Sequence, residues 1–289
     1  MPHREGFLCA GSWYLEHVKT IARYPALGTQ ATILREHTQA GGSAFNMLAA
    51  LRRRDANVPL YALGMLGDDE EGRMLLAACH KQEADTFQLE ATSHAPTAHA
   101  FVMHSEIDQA QTRFYSPAAN LLLQCEHFAF KHCLASWLHL SDYEALSGLH
   151  RNTAEEALDK ILRAAHTENM TTAMTLLLPE YAPLIRTALP LLDFLILSTE
   201  AWQALREQTN PASPEAEFLL QHGIRRGCVV IGEERVWALL GSGEYFEHKF
   251  SETQRRNRSL DIAEVSASFL YSQYAAWNLA QLAAAIQGR

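Results

Sequence analysis

The stretches that decide the fold are residues 41–46, Gly-Gly-Ser-Ala-Phe-Asn, and residues 64–72, Gly-Met-Leu-Gly-Asp-Asp-Glu-Glu-Gly. Glycine lets backbone amides approach a ligand without a Cβ in the way. Gly41 and Gly42 precede a segment of helical composition, and Asn46 falls in its first turn. This arrangement predicts amide donors that face a ligand. The Gly-Gly dipeptide alone is more typical of a tight turn, so the interpretation depends on the second segment.

Outward from these segments, short apolar runs alternate with amphipathic segments. Residues 7–10 and 194–197 are typical of buried strands, and residues 46–54 and 153–166 are typical of helices, the latter with Asn152 placed to cap it. This alternation predicts an α/β fold of three layers, with a mainly parallel central sheet between helices. Ligands of such sheets bind at the carboxyl ends of the strands. Further strands are predicted at 59–64, 137–140 and 228–231, and a further helix at 71–82.

Two segments, approximately 12–40 and 96–118, depart from this alternation of strands and helices. They contain β-rich stretches such as residues 31–34 and 100–103. We expect them to form a small separate sheet inserted into one domain that spans residues 1–289. The sequence contains no internal repeat or linker that would indicate a second independent domain.

The composition narrows the classes of protein that fit this chain. Hydrophobic residues make up 48% of its 289 residues and charged residues 20%, which provides a large core and is not a disordered composition. The formal net charge of -9 argues against broad binding to nucleic acid. The local basic run at residues 255–258 is more typical of a solvated loop than of a phosphate site.

Cysteine usage and hydropathy indicate the compartment. The five cysteines are scattered and form no C-x-x-C pair, which suits reduced thiols. The first residues lack the apolar region of a signal peptide, and no stretch of about 20 apolar residues occurs. We therefore expect a soluble, cytoplasmic protein with no membrane partner.

The two glycine-rich segments and their spacing resemble the ribokinase/phosphofructokinase-B (PfkB) family of carbohydrate kinases. The resemblance implies a ribokinase-like α/β/α fold with a small β lid, phosphorylation of a sugar hydroxyl by ATP with Mg²⁺, and a homodimer formed through the lid. Within the second segment, Asp69 is placed to cap or orient the loop that follows the strand.

The resemblance also implies residues that bind the sugar. Residues 11–16, Gly-Ser-Trp-Tyr-Leu-Glu, occupy the place of a Gly-Asn-x-x-x-Asp motif, so that Glu16 provides the sugar-binding carboxylate. Glu16 is one methylene longer than the Asp, and a shift of about 1 Å is enough to spoil a positioned contact. The full set of sugar-binding candidates is Glu16, Gly41, Gly42, Asn46 and Arg113, the last at the position of a lid arginine.

The phosphate-handling half departs from the family pattern. Residues 261–267 read Asp-Ile-Ala-Glu-Val-Ser-Ala, where the family reads Asp-Thr-x-Gly-Ala-Gly-Asp. The position of the catalytic base is therefore Ala267, and we predict no catalytic residue. Glu264 and Ser266 replace glycines whose amides would receive the phosphate. Loss of a positioned base alone costs roughly 10²–10⁴ in rate.

The nucleotide-binding motifs are degenerate as well. Residues 198–201, Ser-Thr-Glu-Ala, occupy the place of an Asn-x-x-Glu motif that organises Mg²⁺ in the family. Ala201 stands at the position of the Glu, and Glu200 could replace it only after a shift of one residue. Of a Thr-x-Gly-x-x-Gly run only Gly232 remains. The degenerate nucleotide-binding candidates are Ser198, Glu200, Gly232, Asp261, Glu264 and Ser266.

Three hypotheses for function follow. The leading one is a catalytically inactive or strongly impaired pseudokinase that still binds a sugar or nucleoside. The alternative is an active, divergent ATP-dependent sugar kinase with a relocated base, for which Asp261 and Glu264 are candidates. The third is an interaction protein that dimerises through its lid and binds no small ligand. No metal site is predicted, since the histidines form no H-x-x-x-H or Cys/His cluster, and ATP and Mg²⁺ are expected only for an active enzyme.

Overall fold

The computed structural model describes residues 3–150, 154–207, 222–250 and 262–286. Asn152, the basic run at 255–258 and Asp261 lie outside these ranges. The described strands are β1 (Phe7–Ala10), β2 (Tyr14–Ile21), β3 (Ile33–Gly41), β4 (Leu60–Gly67), β5 (Ala84–Thr92), β6 (His99–Ser105), β7 (Ala110–Ser116), β8 (Trp137–Leu140), β9 (Thr171–Leu176), β10 (Phe194–Ser198), β11 (Gly227–Ile231), β12 (Arg235–Leu240) and β13 (Tyr245–Lys249). The described α-helices are α1 (Ser43–Arg54), α2 (Glu70–Lys81), α3 (Ala154–Thr167), α4 (Ala182–Ile185), α5 (Thr199–Glu207), α6 (Ile262–Tyr274) and α7 (Leu279–Ile286). None of these helices is long and apolar enough to cross a membrane.

The larger sheet in the described part of the chain has nine strands, in the order β13-β12-β11-β10-β9-β8-β1-β4-β5. All neighbours from β11 to β5 run parallel. Strands β12 and β13 add an antiparallel edge. The prediction of a mainly parallel sheet in an α/β fold is therefore confirmed.

Strand β1 shows how the sheet separates two cores. Leu8 and Ala10 join the cluster that includes Leu158 of α3, whereas Phe7 and Cys9 join the cluster beneath α1 and α6. Successive side chains of a strand alternate between the two faces, so one apolar run supplies both layers. All four strand residues are fully buried, and burial of a large apolar side chain contributes about 1.5–3 kcal/mol. This burial places β1 at the centre of the fold.

A second sheet, which we call the lid, has four described strands in the order β3-β2-β6-β7. The chain leaves β1 at Ala10, enters the lid at Tyr14 and returns from β3 directly into α1. Trp13 fixes the connection between β1 and β2, because its indole N–H donates a hydrogen bond to the carbonyl oxygen of Leu63 at 2.8 Å. Gly64 provides the space, since a Cβ there would lie 2.2 Å from the indole ring. The lid therefore lies over the carboxyl ends of the central strands.

The glycine-rich segment after β4 fastens the lid to α2. Asp69 is the N-cap of α2 and accepts a hydrogen bond from the backbone N–H of Gly72 at 2.8 Å, which confirms its predicted capping role. The same carboxylate accepts the N–H of Thr97 at 2.7 Å and its hydroxyl at 2.6 Å, just before β6. Burial opposes ionisation of this carboxyl, but the bonds from Thr97 and Gly72 lower the pKa of Asp69 overall.

Candidate functional site

A cavity of about 220 Å³ lies between the lid and the carboxyl ends of the central strands. Its position is the one at which ligands bind to parallel α/β sheets. The lid, the first turns of α1 and α6, and the ends of β8 and β9 all contribute to its walls. The polar lining residues are Tyr14, Ser43, Asn46, Arg113, His139, Ser141, Asp142, Thr175 and Ser266.

On the lid side, an ion pair links two of the predicted sugar-binding residues. Arg113 Nη2 lies 2.8 Å from Glu16 Oε1, and Gln39 donates to Glu16 Oε2 at 2.8 Å. Both carboxylate oxygens of the buried Glu16 are thus engaged, and Arg113, rather than Glu16, lines the cavity. Arg113 also donates to the Tyr14 hydroxyl at 3.0 Å. Glu16 therefore positions Arg113 at the cavity wall.

The predicted glycine pair brings the lid and α1 together. A Cβ at Gly41 would lie 2.8 Å from Glu16 Cγ, and one at Gly42 would lie 2.2 Å from the carbonyl oxygen of Ser12. Gly42 also has a φ of 95°, which side chains rarely adopt. The pair thus permits close packing behind the cavity, and the exposed Asn46 follows at the wall.

A cluster of hydroxyls surrounds a carboxylate that the sequence analysis missed. Ser12 donates a 2.5 Å hydrogen bond to Asp142, and Ser141 donates to Ser43 at 2.9 Å. The Ser12 and Ser43 hydroxyls lie 3.3 Å apart. Asp142 follows β8, so the rule that strand carboxyl ends line the site could have identified it.

A buried histidine, also missed, lies at the floor of the cavity. His139 Nε2 shares a 2.8 Å hydrogen bond with the hydroxyl of Thr175 on the neighbouring strand β9. Complete burial lowers the pKa of His139 to about 3, so the ring is neutral at physiological pH. Among the described residues, no group makes a hydrogen bond with the buried Nδ1 atom.

Two predicted nucleotide-binding residues, Glu264 and Ser266, lie in the described part of α6, and one of them reaches the cavity. Ser266 lines the cavity, and its buried hydroxyl has no hydrogen-bond partner in the described part of the chain. Ala267 is fully buried in the core beneath α1. The Glu264 carboxylate accepts from Arg53 and Arg54 of α1, the latter at 2.8 Å, and does not line the cavity. Glu264, a nucleotide-binding candidate from the sequence, is therefore held by the two arginines of α1 and does not line the cavity.

Three further nucleotide-binding candidates, Ser198, Glu200 and Gly232, do not line this cavity, and Asp261 lies outside the described ranges. The Ser198 hydroxyl donates to the carbonyl of Leu177 at 2.6 Å and accepts from the N–H of Ala201 at 3.0 Å, which caps α5. Glu200 is exposed in the first turn of α5. A Cβ at Gly232 would lie 2.5 Å from the Thr199 hydroxyl, so this glycine serves close packing.

The sequence of this chain matches pfkB family carbohydrate kinase over residues 20–255. The chain belongs to the pfkB family. A search of curated protein sequences found no match.

Solved structures of pfkB-type kinases share the fold. Ribokinase from Thermotoga maritima superposes with a TM-score of 0.74 at 15% identity, over 98% of this chain and 92% of that one. Fructokinase from Xylella fastidiosa gives a TM-score of 0.75 at 20% identity, with coverage of 98% and 90%. A nucleoside kinase from Methanocaldococcus jannaschii gives 0.71 at 15% identity, with coverage of 98% and 90%. At these identities the likeness establishes the ribokinase-like fold.

The pfkB family implies ATP and Mg²⁺, and the described residues of α6 do not fit a phosphate at the expected position. Ala267 offers a buried methyl group in place of a proton acceptor. Ser266 brings a side chain to the cavity where a glycine amide would be open. In the described ranges, no three His, Cys, Asp or Glu side chains converge as metal ligands.

Proposed function

We propose that this pfkB-family protein binds a small polyhydroxylated ligand, a sugar or a nucleoside, and that its ATP-dependent phosphotransfer is lost or strongly impaired. One observation carries the proposal. At the position that the family resemblance gives to the base, the chain has the fully buried Ala267, next to a cavity that is lined by hydroxyl and amide side chains.

The polar groups of the cavity support binding of a hydroxylated ligand. Asn46 and the hydroxyls of Ser43 and Ser141 offer donors and acceptors, and Arg113 adds donors that are fixed by Glu16. Such convergent polar groups in a small concave site are typical of ligand recognition. The solved relatives are named ribokinase, fructokinase and nucleoside kinase, which favours a sugar or nucleoside as the ligand.

The impaired catalysis follows from the side chain at position 267 of α6. Transfer to a hydroxyl needs a group that accepts its proton and donors that stabilise the developing charge. The methyl group of Ala267 cannot accept a proton. Loss of a positioned base alone costs roughly 10²–10⁴ in rate.

An active kinase with a relocated base is the second candidate. The Asp142 carboxylate, which lines the cavity, favours it. Of the bases considered from the sequence, Asp261 lies outside the described residues, and Glu264 is bound by Arg53 and Arg54. A coupled assay for ADP release, with a panel of pentoses, hexoses and nucleosides, separates the two candidates.

Differential scanning fluorimetry with the same panel tests the binding proposal. We expect one class of neutral ligand to raise the melting temperature saturably, and Asn46→Ala to weaken this effect. The exposed lid variant Glu36→Gln is the matched control and should respond like the wild type. If no sugar or nucleoside binds, or if sugar-dependent turnover is faster than about 1 s⁻¹, as in typical kinases, the proposal is contradicted.

The exposed apolar surface of the lid supports a homodimer as part of the proposal. Phe101 and Phe114 lie directly opposite each other in β6 and β7, and both are more than 40% exposed (41% and 59%). They occupy the face opposite to Arg113, since adjacent strand residues point to opposite faces. Analytical ultracentrifugation should give a dimer that Phe114→Glu dissociates. Phe87→Glu, which changes an exposed phenylalanine outside the lid, should leave it intact. A monomeric wild type would contradict this part.

A further inference from the structure

Asp142 is the one carboxylate that lines the cavity in the described part of the chain. Arg113 is neutralised by Glu16 at 2.8 Å. His139 is neutral, because burial lowers its pKa to about 3, and burial raises the pKa of Tyr14 well above its usual value. Asp142 lies within ion-pair distance of no cation in the described ranges, and its hydrogen bond comes from Ser12. Asp142 is therefore the charged lining group in the described ranges that no ion pair neutralises.

The backbone at Asp142 holds this carboxylate in place. Its φ of 50° and ψ of 35° lie in the left-handed region, which glycine and asparagine adopt more readily than most other residues. The Ser12 hydroxyl fixes the side chain from the other side of the cluster. Asparagine and glycine at this position therefore remove the charge and keep the backbone conformation, which makes them matched test variants.

Two further groups independently indicate a ligand in this cavity. His139 Nδ1 and Ser266 Oγ are both buried without a hydrogen-bond partner among the described residues, and both residues line the cavity. A buried polar atom without a partner is costly, so native proteins rarely leave one unsatisfied. A ligand hydroxyl can donate to or accept from either atom. The floor of the cavity is thus suited to uncharged hydroxyl groups.

We propose that Asp142 makes the cavity select its ligand by charge, so that it binds an uncharged sugar or nucleoside and rejects the phosphate ester of the same compound. This inference rests on the proposed function and adds a specificity-determining residue to it. Repulsion between two like charges that lie close together in a partly buried site weakens binding on the order of 100-fold. The protein would then respond to the free sugar rather than to its ester.

Isothermal titration calorimetry tests this selection. The probes are D-ribose, D-fructose and D-glucose, each beside its terminal phosphate ester, at pH 7.5 and constant ionic strength. We expect the wild type to bind a neutral sugar about 100-fold more tightly than its ester. Asp142→Asn should reduce this ratio at least tenfold, and Asp142→Gly should do the same if the first variant is unstable. Glu36→Gln, which removes a carboxylate from the lid surface, should leave the ratio unchanged.

The outcomes separate the inference from the proposed function. A ratio that stays unchanged in both Asp142 variants would show that rejection is steric, and it would overturn the inference alone. Equal binding of sugar and ester by the wild type would do the same. If none of the neutral probes, nor adenosine and cytidine, binds to any variant, the proposed function fails, and the inference fails with it.

Discussion

The carboxylate of Glu16 and the guanidinium of Arg113 lie 2.8 Å apart and connect β2 to β7 across the strand between them. Glu16 is almost fully buried, whereas Arg113 is about half exposed. Removal of the arginine leaves a buried carboxylate with one donor, Gln39, among the residues that the structure describes. We predict that Arg113→Ala lowers the free energy of unfolding by about 1–2 kcal/mol, between the effects of surface and buried ion pairs. Urea denaturation measures this change.

A double-mutant cycle provides the control for that prediction. Glu16→Gln combined with Arg113→Ala should recover part of the loss, because the unpaired charge is gone. Fully independent effects of the two substitutions would contradict the proposed coupling.

Substitution of Gly42 tests whether stability and ligand binding depend on close packing behind the cavity. A Cβ at this position would lie 2.2 Å from the Ser12 carbonyl oxygen, and φ is 95°. We predict that Gly42→Ala destabilises the protein by more than about 2 kcal/mol and weakens sugar binding. Gly28 has a similar φ of 80° but nothing within 4 Å of an added Cβ. Gly28→Ala should therefore cost only about 1 kcal/mol, which isolates the backbone strain from the steric clash. Equal effects would argue against the packing explanation.

The burial of His139 makes the stability of the protein depend on pH. Its folded-state pKa is lowered from 6.5 to about 3, so the unfolded chain binds a proton that the folded chain does not. Stability therefore falls as the pH drops below 6.5, by up to about 1.4 kcal/mol per pH unit until about pH 3. Urea denaturation at pH 7 and pH 5 should show a smaller difference for His139→Gln than for the wild type. His37→Gln, on the exposed surface of the lid, is the control; a similar reduction there would contradict the assignment.

The framework of this protein could be predicted from the sequence because its determinants are local. Apolar runs such as residues 7–10 and 194–197 form strands, and Asp69 caps its helix. The glycine spacing pointed to the family that the sequence match then established. These features depend on periodicity and backbone preference, both of which can be seen in a short window of sequence.

The cavity could be predicted only in part, because it is assembled by tertiary contacts. Asp142 and His139 reach it through the order of the central strands, which a single sequence does not reveal. Glu264 lies in the first turn of α6, but the direction of its side chain depends on arginines more than two hundred residues away in sequence. The residue types therefore predicted which functional groups the site could contain, and tertiary packing decided which of them face the cavity.

The pair of arginines around Glu264 leads to a further prediction. The carboxylate joins the first turn of α6 to the last turn of α1 through Arg53 and Arg54. Glu264→Gln should lower the free energy of unfolding by about 1 kcal/mol, as expected for a partly exposed pair. It should leave sugar affinity unchanged. A gain of nucleotide binding in this variant would show that the carboxylate does block a phosphate site.

We propose that the described start of α6 does not receive a phosphate group. Calorimetric titration of the protein with ATP and Mg²⁺, in the presence and absence of a bound neutral sugar, measures this. We expect no saturable heat up to millimolar nucleotide. Saturable binding in the micromolar range would contradict it.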